Sequence, residues 1–93
     1  MKVLQEKKVT ETIVDEECEG LVSLLGQRVT LFCMNYFYTG RLIGVNKTCV
    51  KLTDAYQVFE TGAYNKKEWE DAQKLPNDWY VCTAAIESFG ILK

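Results

Sequence analysis

The sequence predicts a mainly β domain, in which an N-terminal helix precedes five strands rolled into a strongly bent open barrel. Three observations carry that prediction. Apolar residues keep helical spacing between Cys18 and Leu25. From Gln27 onward the pattern switches to short runs of β-branched and aromatic residues with strand alternation. Inside one of those runs stand Gly40 and Gly44, and glycine in a strand interior marks a tight bend or a close approach of backbone.

Each element follows in order. Residues 1–14 (MKVLQEKKVTETIV) read as a charged arm, and 15–93 as the folded domain. In DEECEGLVSLLG, Cys18, Leu21, Val22 and Leu25 fall on one helical face. Asp15, Glu16 and Glu17 suit the positive end of that helix, and Gly26 suits its stop. QRVTLFCM is the first strand, YFYTGRLIGVNK the second and TCVKLTDAYQVFE the third. Asn35 and Asn46-Lys47 mark the turns between them. Residues 60–78 form an insertion. Asn65 followed by Glu68, with Lys66/Glu70 and Lys67/Asp71 at i,i+4, predicts a short exposed helix there, ended by Pro76. WYVCTAAIESFGIL closes the domain as one bent strand or two short ones. A single helix cannot cover both faces of a flat sheet, so rolling the sheet buries one face of every strand.

Composition narrows the function classes. The chain has 93 residues, is 47% hydrophobic and carries a net charge of −2, which disfavours a general polyanion binder. The charge is uneven: residues 1–25 carry −3 and residues 26–93 carry +1. Histidine is absent and the four cysteines (18, 33, 49 and 82) form no C-x-x-C pair, so a zinc site is not expected and no cofactor is implied. Reduced thiols in a soluble cytoplasmic protein are the expectation, because no apolar stretch reaches membrane-spanning length and the start lacks a signal-like core. Without histidine, and with only Ser23 and Ser88 as serines, neither beside an obvious base, the expectation is not an enzyme.

The segments GQRVTLFCMN, YTGRLIGVNK, VKLTDA and YVCTAAIESF together resemble the Sm/LSm superfamily, which includes bacterial Hfq. The resemblance spans residues 16–59 and 78–92, about two-thirds of the chain. Its most specific piece is Tyr38-x-Gly40-x-Leu42-x-Gly44-x-Asn46, similar to the family's first motif of aromatic, Gly, Leu and then Asp before a turn. The IESFGIL segment matches the second motif more weakly. The resemblance implies an SH3-like barrel that assembles into a homo-oligomeric ring of about five to seven subunits, the fourth strand of one pairing with the fifth of the next. Subunit contacts would then fall on Tyr80, Val81, Cys82, Ile86, Phe89 and Ile91. Residue chemistry points the same way, since these closing strands hold no proline and almost no charge, and a bare apolar edge calls for cover. Closure within the chain, or the N-terminal arm, is the other way to cover it.

The resemblance also implies U- or A-rich single-stranded RNA as a ligand, held at an inner rim by the turn of the first motif and an Arg-Gly or Lys-His pair of the second. Carried across, the rim falls on Asn46, Lys47, Thr48, Cys82 and Thr83. Asn46 stands where the family usually has Asp, and Cys82, Thr83 and Ala84 stand where the Arg-Gly or Lys-His pair would be. No guanidinium or imidazole is therefore expected in the pocket. Asn46 is either a turn residue or a base reader, and Lys47 either a solvated lysine or a phosphate contact. Arg41 on the second strand is either a second RNA contact or one half of a surface ion pair, and the outward rings of Tyr36–Tyr38 either stack on bases or cover subunit contacts. Two functions follow: a ring-forming RNA-binding scaffold or chaperone, and a ring-forming scaffold without RNA. In the second, the insertion 60–78, with Trp69, meets a protein partner.

Overall fold

The computed structural model describes residues 19–93; the arm 1–14 and the expected helix start at 15–18 lie outside the described residues. Its elements are a one-turn helix α1 (Gly20–Ser23) and the strands β1 (Arg28–Cys33), β2 (Phe37–Val45), β3 (Cys49–Glu60), β4 (Asp71–Lys74), β5 (Trp79–Cys82) and β6 (Ile86–Gly90). A 3₁₀ turn, Thr83–Ala85, joins the last two. The strands form one antiparallel six-stranded sheet in the order β4-β3-β2-β1-β6, with β5 also on β3. The sheet is open: β6 bounds one side, and β4 and β5 bound the other. No helix among the described residues is long and apolar enough to cross a membrane.

The meander β1–β2–β3 follows the alternation of the sequence. Val29, Leu31, Cys33, Leu42, Val50, Leu52, Ala55 and Val81 form the core. Leu31, Leu42 and Leu52 are fully buried, and each contributes about 1.5–3 kcal/mol of transfer free energy. Leu21 and Leu24 pack against one end of this core. The expected helical face is therefore corrected: Leu21 and Leu24 pack, whereas Val22 and Leu25 are exposed. The described helix is a single turn that opens on Gly20, at φ +71°, and ends at Leu24, which leaves helical geometry at φ −97°.

Gly40 and Gly44 both sit where the β2–β3 register breaks. Thr39 faces Tyr56 but Arg41 faces Thr53, so Asp54 and Ala55 together oppose Gly40. A second shift falls between Leu42 and Gly44. Asp54 takes φ +50° in the first bulge, a conformation that Asp tolerates better than most residues.

The insertion departs from expectation. Residues 61–70 form turns rather than a helix, and Asp71–Lys74 is a strand paired to Tyr56–Glu60 of β3. The helix signals were local, each side-chain pair contributing about 0.2–0.5 kcal/mol, and a helix this short is marginal alone. Hydrogen bonding to the open edge of β3 outweighs them. β5 takes the rest of that edge, against Cys49–Leu52. Between the two strands, Leu75 N–H donates to the Ala55 carbonyl at 2.8 Å.

The insertion also covers part of the sheet's second face. There Thr30 and Thr39 are direct cross-strand partners and fully buried, and Phe32 stacks on its partner Phe37 at 4.2 Å. Tyr64 leans over Phe32 with centroids 6.3 Å apart. Lys93 ties the segment down: its ammonium donates to the carbonyls of Thr61, Ala63 and Glu68 at 2.8, 3.0 and 3.1 Å and lies 4.6 Å from the Trp69 ring centre.

Candidate functional site

The β2–β3 turn and the end of β5 meet at one rim of the sheet, which brings together all five residues expected there. Asn46 shapes the turn. Its Oδ1 accepts from the Thr48 N–H (2.8 Å), the Thr48 hydroxyl (3.0 Å) and the Cys49 N–H (2.9 Å), while its own N–H donates to the Cys49 carbonyl (3.0 Å). The turn reading of Asn46 thus accounts for its side-chain oxygen, an Asx turn in which the carboxamide replaces backbone partners. The Nδ2 amide stays outside these bonds and can donate.

Thr83 joins the other half of the rim. Its hydroxyl donates to the Lys47 carbonyl at 2.7 Å and its N–H donates to the Thr48 carbonyl at 3.0 Å. Both bonds use backbone of the turn, so the rim is one hydrogen-bonded unit. The Lys47 side chain is exposed, as is Cys82. The rim has a single cationic side chain and no aromatic ring of its own. The nearest ring on the same β5 face is Tyr80, which holds the Lys51 ammonium 5.5 Å from its centre.

The residues expected at subunit contacts divide. Tyr80, Phe89 and Ile91 are exposed at 60%, 41% and 58%, and Ile86 packs partly on the core. The Val81 side chain is 5% exposed and belongs to the core opposite Val50, because strand alternation turns it inward while Tyr80 and Cys82 turn outward. Between the β1–β2 connection and β5 lies an open cleft of about 370 Å³, lined by Met34, Tyr36, Tyr38, Trp79 and Tyr80 among others. Tyr36 also meets Phe59 edge-on at 5.4 Å.

Two arrangements were not legible beforehand. Asp54, on the β3 bulge, accepts from Arg28 Nη1 at 3.2 Å and lies 3.1 Å from the Lys74 ammonium, and Arg28 Nη2 also donates to its carbonyl. The hydrogen bond from Lys74, against an opposing desolvation and together with the charges of Lys74 and Arg28 and the Arg28 hydrogen bond, holds the Asp54 carboxyl below the usual carboxylate range. The same pairing raises Lys74. The second arrangement is Cys49 directly across from Cys82. Their separation in sequence hides both arrangements, since no local pattern links residue 28 to 54 or 49 to 82.

No protein-family model matches the chain, and no curated protein matches it.

Proposed function

We propose that the chain is a ring-forming Sm-like protein, its open SH3-like barrel closing with copies of itself, and that the rim of Asn46, Lys47, Thr48, Cys82 and Thr83 contacts single-stranded RNA. One observation carries the reading: the sheet is open, and its bounding strands, β6 on one side and β4 and β5 on the other, have no outer partner strand among the described residues. Exposed Phe89 and Ile91 lie on or just past β6, and exposed Trp79 and Tyr80 on β5. Edges of this kind template pairing with another chain. A head-to-tail pairing of β5 with the neighbour's β6 repeats by rotation and closes into a ring. The aromatic cleft beside β5 offers a seat for the neighbour's Phe89. The RNA part rests on the resemblance of Tyr38–Asn46 to the first Sm motif, and on the free amide of Asn46 beside the Lys47 ammonium.

A second reading keeps the ring and drops RNA. It is favoured by the rim's single lysine and by the use of Asn46 Oδ1 inside its own turn.

Sedimentation velocity and anisotropy with labelled U-rich and A-rich oligonucleotides separate these readings. The ring reading expects a discrete oligomer of about five to seven copies, converted to folded smaller species by Phe89→Glu or Tyr80→Glu. A protomer at every concentration would sink it. The RNA reading expects salt-sensitive binding weakened by Lys47→Ala and by Asn46→Asp, which keeps the three accepted bonds but removes the amide donor. A ring that binds neither oligonucleotide at low salt is the protein scaffold.

A further inference from the structure

Cys49 opens β3 and Cys82 closes β5, and the two are direct partners in the antiparallel ladder. The bond from Thr83 N–H to the Thr48 carbonyl makes the neighbouring positions a hydrogen-bonded pair. Ladder alternation then makes Cys49 and Cys82 a non-hydrogen-bonded pair, with α-carbons about 4.5 Å apart and side chains on the same face. Both turn away from the buried Val50–Val81 pair beside them. The next pair on that face, Lys51 and Tyr80, already touches across the strands. A disulfide spans α-carbon separations of about 4.4–6.8 Å, so two thiols here can join without moving the backbone far. Both thiols are free, Cys82 exposed and Cys49 half-buried.

We infer that Cys49 and Cys82 form a reversible redox site, oxidised by a low-molecular-weight disulfide such as oxidised glutathione. The exposed Cys82 thiolate attacks one sulfur of the oxidant. A mixed disulfide forms, and the oxidant's S–S bond breaks to release one thiol. The Cys49 thiolate then attacks Cys82 Sγ, closes the internal disulfide and expels the second thiol. Two protein thiols are oxidised, one disulfide is reduced to two thiols, and the two protons of Cys49 and Cys82 leave on those thiols. The bond would staple the start of β3 to the end of β5, beside the Asn46–Thr83 rim. This inference rests on strand register and exposure, independently of the RNA and ring readings.

The test is to incubate the native protein, in its own oligomeric state, with oxidised glutathione, quench in acid, alkylate free thiols under denaturing conditions, and map peptides by mass spectrometry. The expected result is the loss of two alkylation sites and two hydrogens, a peptide joining Cys49 to Cys82, and full reversal by dithiothreitol. Cys49→Ser is expected to stop at a stable glutathione adduct on Cys82, and Cys82→Ser to take up none at the rim. The inference is overturned if the native chain stalls at the Cys82 adduct, if Cys82 joins Cys33, Cys18 or another chain instead, or if neither thiol reacts.

Discussion

Two threonines with the same surroundings have opposite roles. Thr30 and Thr39 face one another and are both fully buried. Thr39 Oγ1 donates to the Val29 carbonyl at 2.9 Å, while Thr30 Oγ1 has no partner among the described residues. A buried hydroxyl without a partner costs free energy that an isosteric methyl does not. Thr30→Val is therefore expected to raise stability by about 1 kcal/mol, and Thr39→Val to lower it by about 1 kcal/mol, both read from urea midpoints at unchanged m-value. At the surface, Asp54 gives a pH signature. Its carboxyl is held low by Lys74 and Arg28, so its contribution is fully present above the unfolded value of about 4 and is lost as the pH falls through the lower folded value. Asp54→Asn keeps a side chain tolerant of φ +50° and removes the charge. Its stability relative to wild type is expected to be lower at neutral pH and to converge in acid, once the pH has fallen through the lowered folded value, with the gap shrinking in high salt, as for any exposed pair.

At the scale of elements, the two strand glycines are not equivalent. A methyl at Gly40 would lie 3.1 Å from Ala55 Cα, Leu52 Cβ and the Thr53 carbonyl oxygen, partly backbone that cannot yield. At Gly44 it would meet only Lys51 Cβ at 3.5 Å, an ordinary contact. Gly40→Ala is expected to destabilise by about 1–3 kcal/mol as overpacking. Gly44→Ala is expected to be neutral or to stabilise by up to about 1 kcal/mol through the unfolded chain. Thermal melts of the two variants decide it; equal losses would mean that Gly44 also needs its missing side chain. Both glycines were legible as bend positions. What distinguishes them, a bulge of β3 pressed on Gly40, lies in a strand more than ten residues away.

At the scale of the whole molecule, the segment that interrupts the strands is held by a contact from the last described residue. The Lys93 ammonium satisfies three carbonyls of residues 61–68 and covers Trp69. Lys93→Met keeps the aliphatic stem and removes the charge, leaving those carbonyls to water. Amide hydrogen exchange is expected to speed up by roughly tenfold or more across 61–70, with β1–β3 unchanged, as in a local opening. Protection that stays the same would mean that Tyr64 on Phe32 alone holds the segment. Trp69 thus meets its own chain through the Lys93 ammonium, 4.6 Å from its ring centre.

The sequence by itself determined the three-stranded meander and the positions of its turns, because strand alternation bounded by turn residues is a local property. The rim residues came from the resemblance; what joins Thr83 to the Asn46 turn is the pairing of β5 with β3. Only the tertiary structure decided the rest. The insertion became a strand because β3 is long enough to offer an open edge, and main-chain pairing there exceeds the small helical preferences of residues 65–71. In the described part of the helix, Leu24 packs in place of Leu25, because the core lies on that side. Arg28 met Asp54, and Cys49 met Cys82, through register alone. Register is set by bulges and pairings between distant strands, which no local window of sequence contains.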